Sequence, residues 1–321
     1  MSFRPLLLPL VPLYRLAVKL REFRLRRGWE PVRQLDWPVV SIGNLSAGGA
    51  GKTPLAIALV RALQKRGVAV DVLSRGYGRT STEAALVDAQ GTAEQFGDEP
   101  LLIARATAAP VFVAQQRYEA GLLAELDQNQ KKIHLLDDGF QHRQLHRVVD
   151  LLLVSGRDLA DSLLPAGNLR EPLSALHRAS VLVIPVEEPE TAAALRSRGW
   201  QGPIWRIRRR MQIPALQGPV VAFCGIARPE QFFSGLVQAG VQLAAHRVYA
   251  DHHGYTQSDA TALVALAARH KATLLTTEKD AARLGALTAA LHGLKTAPLI
   301  TEIEGEAACI AWLIARLGME L

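Results

Sequence analysis

Apolar residues in this chain fall into short runs separated by stretches of helical spacing. From residue 39 the runs are 39–42, 68–73, 111–113 and 133–136, and amphipathic stretches lie between them at about 53–65, after Pro100, and near 118–126. Buried strands alternating with amphipathic helices are the pattern of a parallel sheet covered on both faces. Residues 150–154 and 181–184 extend the same sheet. Residues 205–213 are basic, alternate in polarity and lie between Pro203 and Pro214, which reads as a linker strand. The rhythm then restarts with a run at 220–224, a helix over 229–239, a strand over 243–248, a helix over 258–269 and a run at 272–276. A second, smaller α/β lobe is the simplest account. The predicted division is an N-terminal helical segment (1–34), a large α/β domain (35–204), the linker strand (205–217) and the small lobe (218–321).

The first residues depart from this pattern. Residues 5–14 form an apolar run ended by Arg15, shorter than the roughly 20 residues a spanning helix needs. No small-x-small cleavage site follows; the chain continues with Lys19, Arg21, Arg24, Arg26 and Arg27, so a signal peptide is not read here. An apolar segment leading into a basic amphipathic stretch suits a helix lying in a membrane interface, leucines in the acyl boundary and arginines at anionic headgroups. A helix packed on the protein's own core is the alternative. The formal net charge of +7 is concentrated at 19–33 and 206–210, and such runs suit phosphates, nucleic acid or anionic lipid, or a plain solvated face. Cys224 and Cys309, the two cysteines, both sit in apolar stretches. They support neither a disulfide framework nor a cysteine zinc site, consistent with a reducing compartment.

The strongest chemical signal is Ser41-Ile-Gly-Asn-Leu-Ser-Ala-Gly-Gly-Ala-Gly-Lys-Thr-Pro54, between a predicted strand and a predicted helix. Residues Ser46, Ala47, Gly48, Gly49, Ala50, Gly51, Lys52 and Thr53 form a candidate phosphate loop. Glycines let backbone N–H groups approach phosphate oxygens, the helix N-terminus adds partial positive charge, Lys52 reaches the terminal phosphates and Thr53 offers a hydroxyl to Mg²⁺. Ser46 stands where the usual pattern has its first glycine. A metal-holding carboxylate on a neighbouring strand is also required, and Asp137-Asp138, at the carboxyl end of the run 133–136, supply it. No Asn-Lys-x-Asp base reader occurs, and Ala47 stands where deviant-loop ATPases carry a lysine. An ATP-using transferase or an atypical ATPase remains.

Gly43 to Pro54 together with Arg75-Gly-Tyr-Gly-Arg79, Gly97-Asp-Glu-Pro100, Asp137-Asp-Gly-Phe-Gln-His142 and Leu169-Arg-Glu-Pro172 resembles the bacterial tetraacyldisaccharide 4'-kinases. In the later lobe, Ala222-Phe-Cys-Gly-Ile-Ala-Arg-Pro-Glu-Gln-Phe-Phe233, Asp251-His-His-Gly-Tyr-Thr256 and Thr277-Glu-Lys-Asp280 look like that family's motifs. The resemblance implies a P-loop α/β fold, ATP and Mg²⁺ as cofactors, and transfer of the γ-phosphate to the 4'-hydroxyl of a lipid A disaccharide 1-phosphate precursor. It implies peripheral attachment at the cytoplasmic face of a Gram-negative inner membrane, an anionic phospholipid surface as partner, no nucleic acid and no obligate protein partner. It also implies Asp98 as the base, assisted by His252, and Glu99 beside the metal site. Tyr77 is placed between glycines, where an exposed ring could stack on a base or sugar. Arg79 and Arg170 are candidate clamps because guanidinium forks match phosphate oxygens, as are Arg75 and Arg117. Gln141 and His142 follow the acidic pair closely enough to reach its pocket, and Glu171 stands beside Arg170. His146 is assigned no role. The rivals are a P-loop ATPase or metallochaperone that drives a partner, and a nucleotide-gated membrane scaffold.

Overall fold

The computed structural model describes residues 4–127 and 132–319. In chain order its strands begin with β1 (Val39–Asn44), β2 (Val70–Ser74), β3 (Ala85–Leu86), β4 (Val111–Val113), β5 (Ile133–Leu136), β6 (Val149–Leu153) and β7 (Val181–Pro185). They continue with β8 (Ile204–Met211), β9 (Val220–Cys224), β10 (Leu243–Val248), β11 (Thr273–Thr276), β12 (Lys295–Thr296) and β13 (Leu299–Ile303). One sheet has the order β13-β8-β7-β6-β1-β5-β2-β4-β3 and a second the order β10-β9-β11-β12. Every residue of β1 is buried, as a strand flanked by neighbours and covered by helices on both faces must be. Its partners β5 and β6 run parallel to it, so the loops after β1 and β5 emerge at the same edge. A Cβ on Gly43 would come within 2.4 Å of the Cβ of Phe140. Only glycine at that point lets the chain after β5 lie directly against the end of β1.

The second sheet is parallel throughout, and β9 divides its side chains by alternation. Val221 and Phe223 join Tyr255, Leu263 and Leu274 on one face, while Val220, Ala222 and Cys224 join Phe232 and Leu236 on the other. This is the expected small lobe, but its limits differ from those predicted. The expected linker strand is β8, which pairs parallel with β7 and antiparallel with β13 and so lies within the large sheet. Residues 299–317 likewise return to the large sheet. Trp205, Ile207, Ile303, Ile310, Leu313 and Ile314 belong to the same buried cluster as Val40 and Leu59. Full burial of such a side chain is worth about 1.5–3 kcal/mol, and that gain draws the helix Glu306–Arg316 onto the first lobe.

A 3-10 segment Pro5–Leu10 and the helix Val11–Arg26 bury no residue fully. Val11 and Tyr14 touch the core, and the Tyr14 hydroxyl donates to the carbonyl of Arg170 at 2.9 Å. Arg21 donates to the carbonyl of Gln141 at 2.9 Å. Leu6, Leu13, Leu16 and Leu20 remain more than half exposed, so packing on the core accounts for one edge of this helix only.

A buried ionic cluster ties β2 to β5. His134 Nδ1 lies 2.6 Å from Asp71 Oδ1 and its Nε2 3.2 Å from Glu125 Oε1. Burial opposes the imidazolium, but the two carboxylates outweigh it and raise the pKa above the ordinary value. Protonation therefore favours the folded state. The contribution is complete below the unfolded pKa of about 6.5 and is lost as pH rises through the higher folded value. Urea denaturation at stepped pH should show stability falling across that window, with the fall reduced in His134→Gln. An identical slope in the variant would assign the dependence elsewhere.

Candidate active site

The loop between β1 and the helix Lys52–Gln64 turns through positive φ at Gly48 (77°), Gly49 (49°) and Gly51 (84°), a region that side-chain-bearing residues avoid. Its glycines thus meet a backbone requirement as well as leaving room for phosphate. Lys52 opens the helix and is buried. Its Nζ donates to Asn44 Oδ1 at 3.0 Å and lies 3.4 Å from Asp138 Oδ1. Thr53 follows, also buried. The front of the loop behaves differently from the expectation. The Ala47 amide donates to the carbonyl of Asn168 at 2.8 Å, Ser46 bridges to Leu169, and the Ser46 hydroxyl accepts from Asn44 Nδ2 at 3.1 Å. These two residues are held by a neighbouring loop, which engages the Ala47 amide before the glycine turn begins at Gly48.

Asp137 and Asp138 project from the end of β5. Asp138 takes a φ of 47°, a costly conformation for a residue other than glycine. It is held there by Arg170, whose Nη1 lies 3.3 Å from each carboxylate oxygen, and by Lys52. Asp137 is buried, and neither of its oxygens has a hydrogen-bond partner. Burial, then the neighbouring charges of Glu99 and Asp138, push its carboxyl up to about 7. Unpartnered buried carboxylate oxygens are costly, and a divalent cation would relieve them. Among the described residues no group of three or more His, Cys, Asp or Glu forms a ready cage. Magnesium is normally held by one or two carboxylates plus phosphate oxygens, and Asp137, Asp138 and the Thr53 hydroxyl fit that manner of binding.

Asp98 and Glu99 open the helix Asp98–Ala106 and meet the second lobe. Asp98 Oδ2 accepts from Arg283 Nε at 2.8 Å and also from the other arm of that guanidinium; His252 Nδ1 lies 3.5 Å away. Asp98 Oδ1 accepts the Glu99 amide at 2.9 Å. Burial alone would raise the Asp98 pKa, but His252, Arg283 and Lys279 outweigh it and hold the carboxyl far below its ordinary range. In turn the hydrogen bond to Asp98 raises the pKa of His252, against its partial burial. Glu99 Oε1 receives Lys279 Nζ at 2.5 Å. Lys279 and Arg283 are four residues apart on the helix Glu278–Leu284 and so share a face. Asp280 anchors this helix: its Oδ1 accepts from the Gly225 amide and the Tyr255 hydroxyl, both at 2.9 Å, and its Oδ2 from Thr277 at 2.6 Å.

The remaining expected residues divide. Gln141 donates to the carbonyl of Asn44 at 3.0 Å and accepts from Arg170 at 3.1 Å, which joins it to the loop and to Asp138. His142 is pushed down to about 3 by burial and then by Arg117, Arg147, Arg21 and Arg75; it is a neutral imidazole at physiological pH. Arg117 is buried, and burial brings it down to about 10, with Asp138 and Asp137 among the charges acting on it. Tyr77 is exposed, its ring centroid 5.1 Å from that of His252. Two residues are occupied elsewhere. Arg79 turns back on its own loop and donates to the carbonyl of Glu83 at 2.6 Å, and Glu171 is engaged by Arg178 at 2.5 and 3.2 Å. Asn44, Lys279 and Arg283 were missed by sequence reasoning. The first two lie inside quoted motifs but carried no assigned role, and Arg283 lies one turn beyond the last motif.

Comparison with known proteins gives the family and the fold. The family model described as tetraacyldisaccharide-1-P 4'-kinase matches residues 3–318. A tetraacyldisaccharide 4'-kinase of Koribacter versatilis is 41% identical over 290 residues, covering 87% of this chain and 88% of its own. One from Rhodopseudomonas palustris is 37% identical over 328 residues, covering 98% and 92%. Among solved structures, LpxK from Aquifex aeolicus in complex with ATP superposes with a TM-score of 0.78 at 31% identity, over 98% of this chain and 99% of that one. With the phosphate loop, the acidic pair and the two-lobed cleft all in place, the chain belongs to the tetraacyldisaccharide 1-phosphate 4'-kinase family.

Proposed function

We infer that this chain transfers the γ-phosphate of ATP to the 4'-hydroxyl of tetraacyldisaccharide 1-phosphate, giving the 4'-phosphorylated lipid A precursor, lipid IVA. The observation that carries this reading is electrostatic. Lys52 lies 3.4 Å from Asp138, Asp137 beside it has two unpartnered buried oxygens, Lys279 donates to Glu99 at 2.5 Å, and the carboxylate of Asp98 borders them. Lys52 and the loop amides from Gly48 onward hold the terminal phosphates. Mg²⁺, when held by Asp137, Asp138 and Thr53, supplies charge neutralisation between the phosphates. Asp98 accepts the proton of the attacking hydroxyl at a carboxylate oxygen, and His252 orients it and shares that proton. Arg283 fixes the carboxylate's direction, and Arg170 with Gln141 shapes the acceptor side beside Asp138. A neutral His142 hydrogen-bonds the substrate without competing for its phosphate charge.

The substrate is a lipid, and the exposed leucine row supports attachment of the chain to an anionic membrane surface, peripherally, at the cytoplasmic face of the inner membrane. No helix among the described residues is long and apolar enough to cross a membrane. The test uses γ-labelled ATP and vesicles of anionic phospholipid containing the disaccharide 1-phosphate. Label should appear in the lipid fraction; release to water alone would favour an ATPase that drives a partner. In the same vesicles, combined Leu13→Gln, Leu16→Gln and Leu20→Gln should weaken binding by about 10²-fold or more, since each buried leucine is worth roughly 1.5–3 kcal/mol. ATP affinity in solution should not change, and added salt should weaken what binding remains. Unchanged co-sedimentation of the triple variant would remove the membrane assignment.

A further inference from the structure

The phosphate loop is covered by two guanidinium groups, Arg228 from the second lobe and Arg209 from the large sheet. Arg228 belongs to the segment after β9 and stands at the N-cap of the helix Pro229–Gln238. A Cβ on Gly49 would come within 3.0 Å of its Cγ and 3.3 Å of its Nε, and a Cβ on Gly48 within 3.1 Å of the Cβ of Ala227. Arg209, on β8, donates from Nη1 to the carbonyl of Ala50 at 3.1 Å, and the same nitrogen would lie 2.8 Å from a Cβ on Gly51. Both side chains border one cleft with Ala50, Ser155 and Asp158.

Neither guanidinium is held by a close ion pair. Arg206 and Arg210, on the same strand as Arg209, pair with Glu304 and Glu302 at 3.3 and 3.0 Å. Among the described residues no carboxylate lies within 4.0 Å of Arg209 or Arg228. A cation at a helix N-terminus opposes the helix dipole; burial and then the charge of Arg228 act unfavourably on the half-buried Arg209, against the opposing pull of Glu188, Glu187 and Asp158. Two like charges held together beside a loop built for phosphate are complementary to an anion bound at that loop.

We propose that Arg228, seconded by Arg209, is a guanidinium donor delivered by the second lobe to the terminal phosphates of bound ATP, stabilising charge on the transferred group. This rests on the kinase reading above. Lys52 approaches from the helix side, whereas a group over Gly48 and Gly49 meets the terminal phosphates from the opposite side. The same lobe that carries Arg228 also carries His252, which lies 3.5 Å from Asp98.

The experiment compares wild type, Arg228→Ala and Arg228→Lys by steady-state kinetics and by equilibrium titration with ATP and with ADP, alongside Lys52→Ala. Arg228→Ala should lower kcat on the order of 10²-fold, as loss of a transition-state donor does. It should weaken ATP far more than ADP, so the preference between the two nucleotides collapses. Arg228→Lys keeps the charge but not the fork and should recover part of the loss. Equal weakening of ATP and ADP with unchanged kcat would overturn the proposal, as would wild-type behaviour. If Lys52→Ala is inactive while Arg228→Ala and Arg228→Lys behave as wild type, this inference alone fails. If Lys52→Ala is fully active, the kinase reading fails first. Melting curves of both Arg228 variants separate loss of function from loss of fold.

Discussion

Lys52→Ala should lower kcat by about two to three orders of magnitude, because it removes a fixed cation from the place where phosphoryl charge is redistributed. The Lys52 ammonium is buried and is positioned by Asn44 Oδ1 at 3.0 Å and Asp138 at 3.4 Å, so it requires little reorganisation when the nucleotide enters. Its loss has a second consequence. Lys52 is the first charge that offsets burial at Asp138 and one of those that limit the rise at Asp137, so the variant should also favour a protonated acidic pair. Activity of Lys52→Ala should therefore recover partly as pH and magnesium are raised together, and single-turnover kinetics across that grid would reveal it. Near-normal turnover at neutral pH would exclude the phosphate-loop assignment.

Asp98→Asn should depress kcat by about 10² to 10⁴-fold, the range for a positioned general base, with little effect on ATP affinity. The same carboxylate also receives Arg283, so lower activity could reflect a loosened contact between the lobes. Two readouts separate these roles. His252 owes its raised pKa first to the hydrogen bond with Asp98, so the limb of the kcat profile that reports His252 should move to lower pH in Asp98→Asn. In a double-mutant cycle with His252→Ala, the combined loss should be much smaller than the product of the single losses. Fully multiplicative losses would mean that the two residues act independently, and an active Asp98→Asn would remove the base from the mechanism.

Much of the scaffold was legible from residue pattern. The runs at 111–113, 133–136 and 220–224 coincide with β4, β5 and β9, because a strand buried on both faces must be nearly all apolar and is bounded by loop residues. The phosphate loop was legible for a related reason. Positive φ at Gly48, Gly49 and Gly51 is a local demand that only particular residues meet, so the demand is written in the local sequence. The acidic pair after β5 could be read the same way, since strand-end position follows from the pattern. The partners of Arg79 and Glu171, the Glu83 carbonyl and Arg178, were not legible, because a guanidinium or carboxylate near a motif carries no mark of which partner it will choose.

Where the C-terminal residues go could not be read locally. The strand β13 has exposed, half-buried and buried residues in irregular succession, and its apolar positions would suit an edge of either sheet. What assigns it to β8 is the uncovered core around Trp205 and Ile207, which the helix Glu306–Arg316 closes. The site is divided similarly. The chain's own local chemistry determined a phosphate loop, a lysine and two acids at one sheet edge. Tertiary structure alone decided that Arg283 meets Asp98 across 185 residues and Lys279 meets Glu99 across 180, because pairing of charges depends on distance in space after folding, and sequence spacing encodes that distance only within a helix turn or a strand pair.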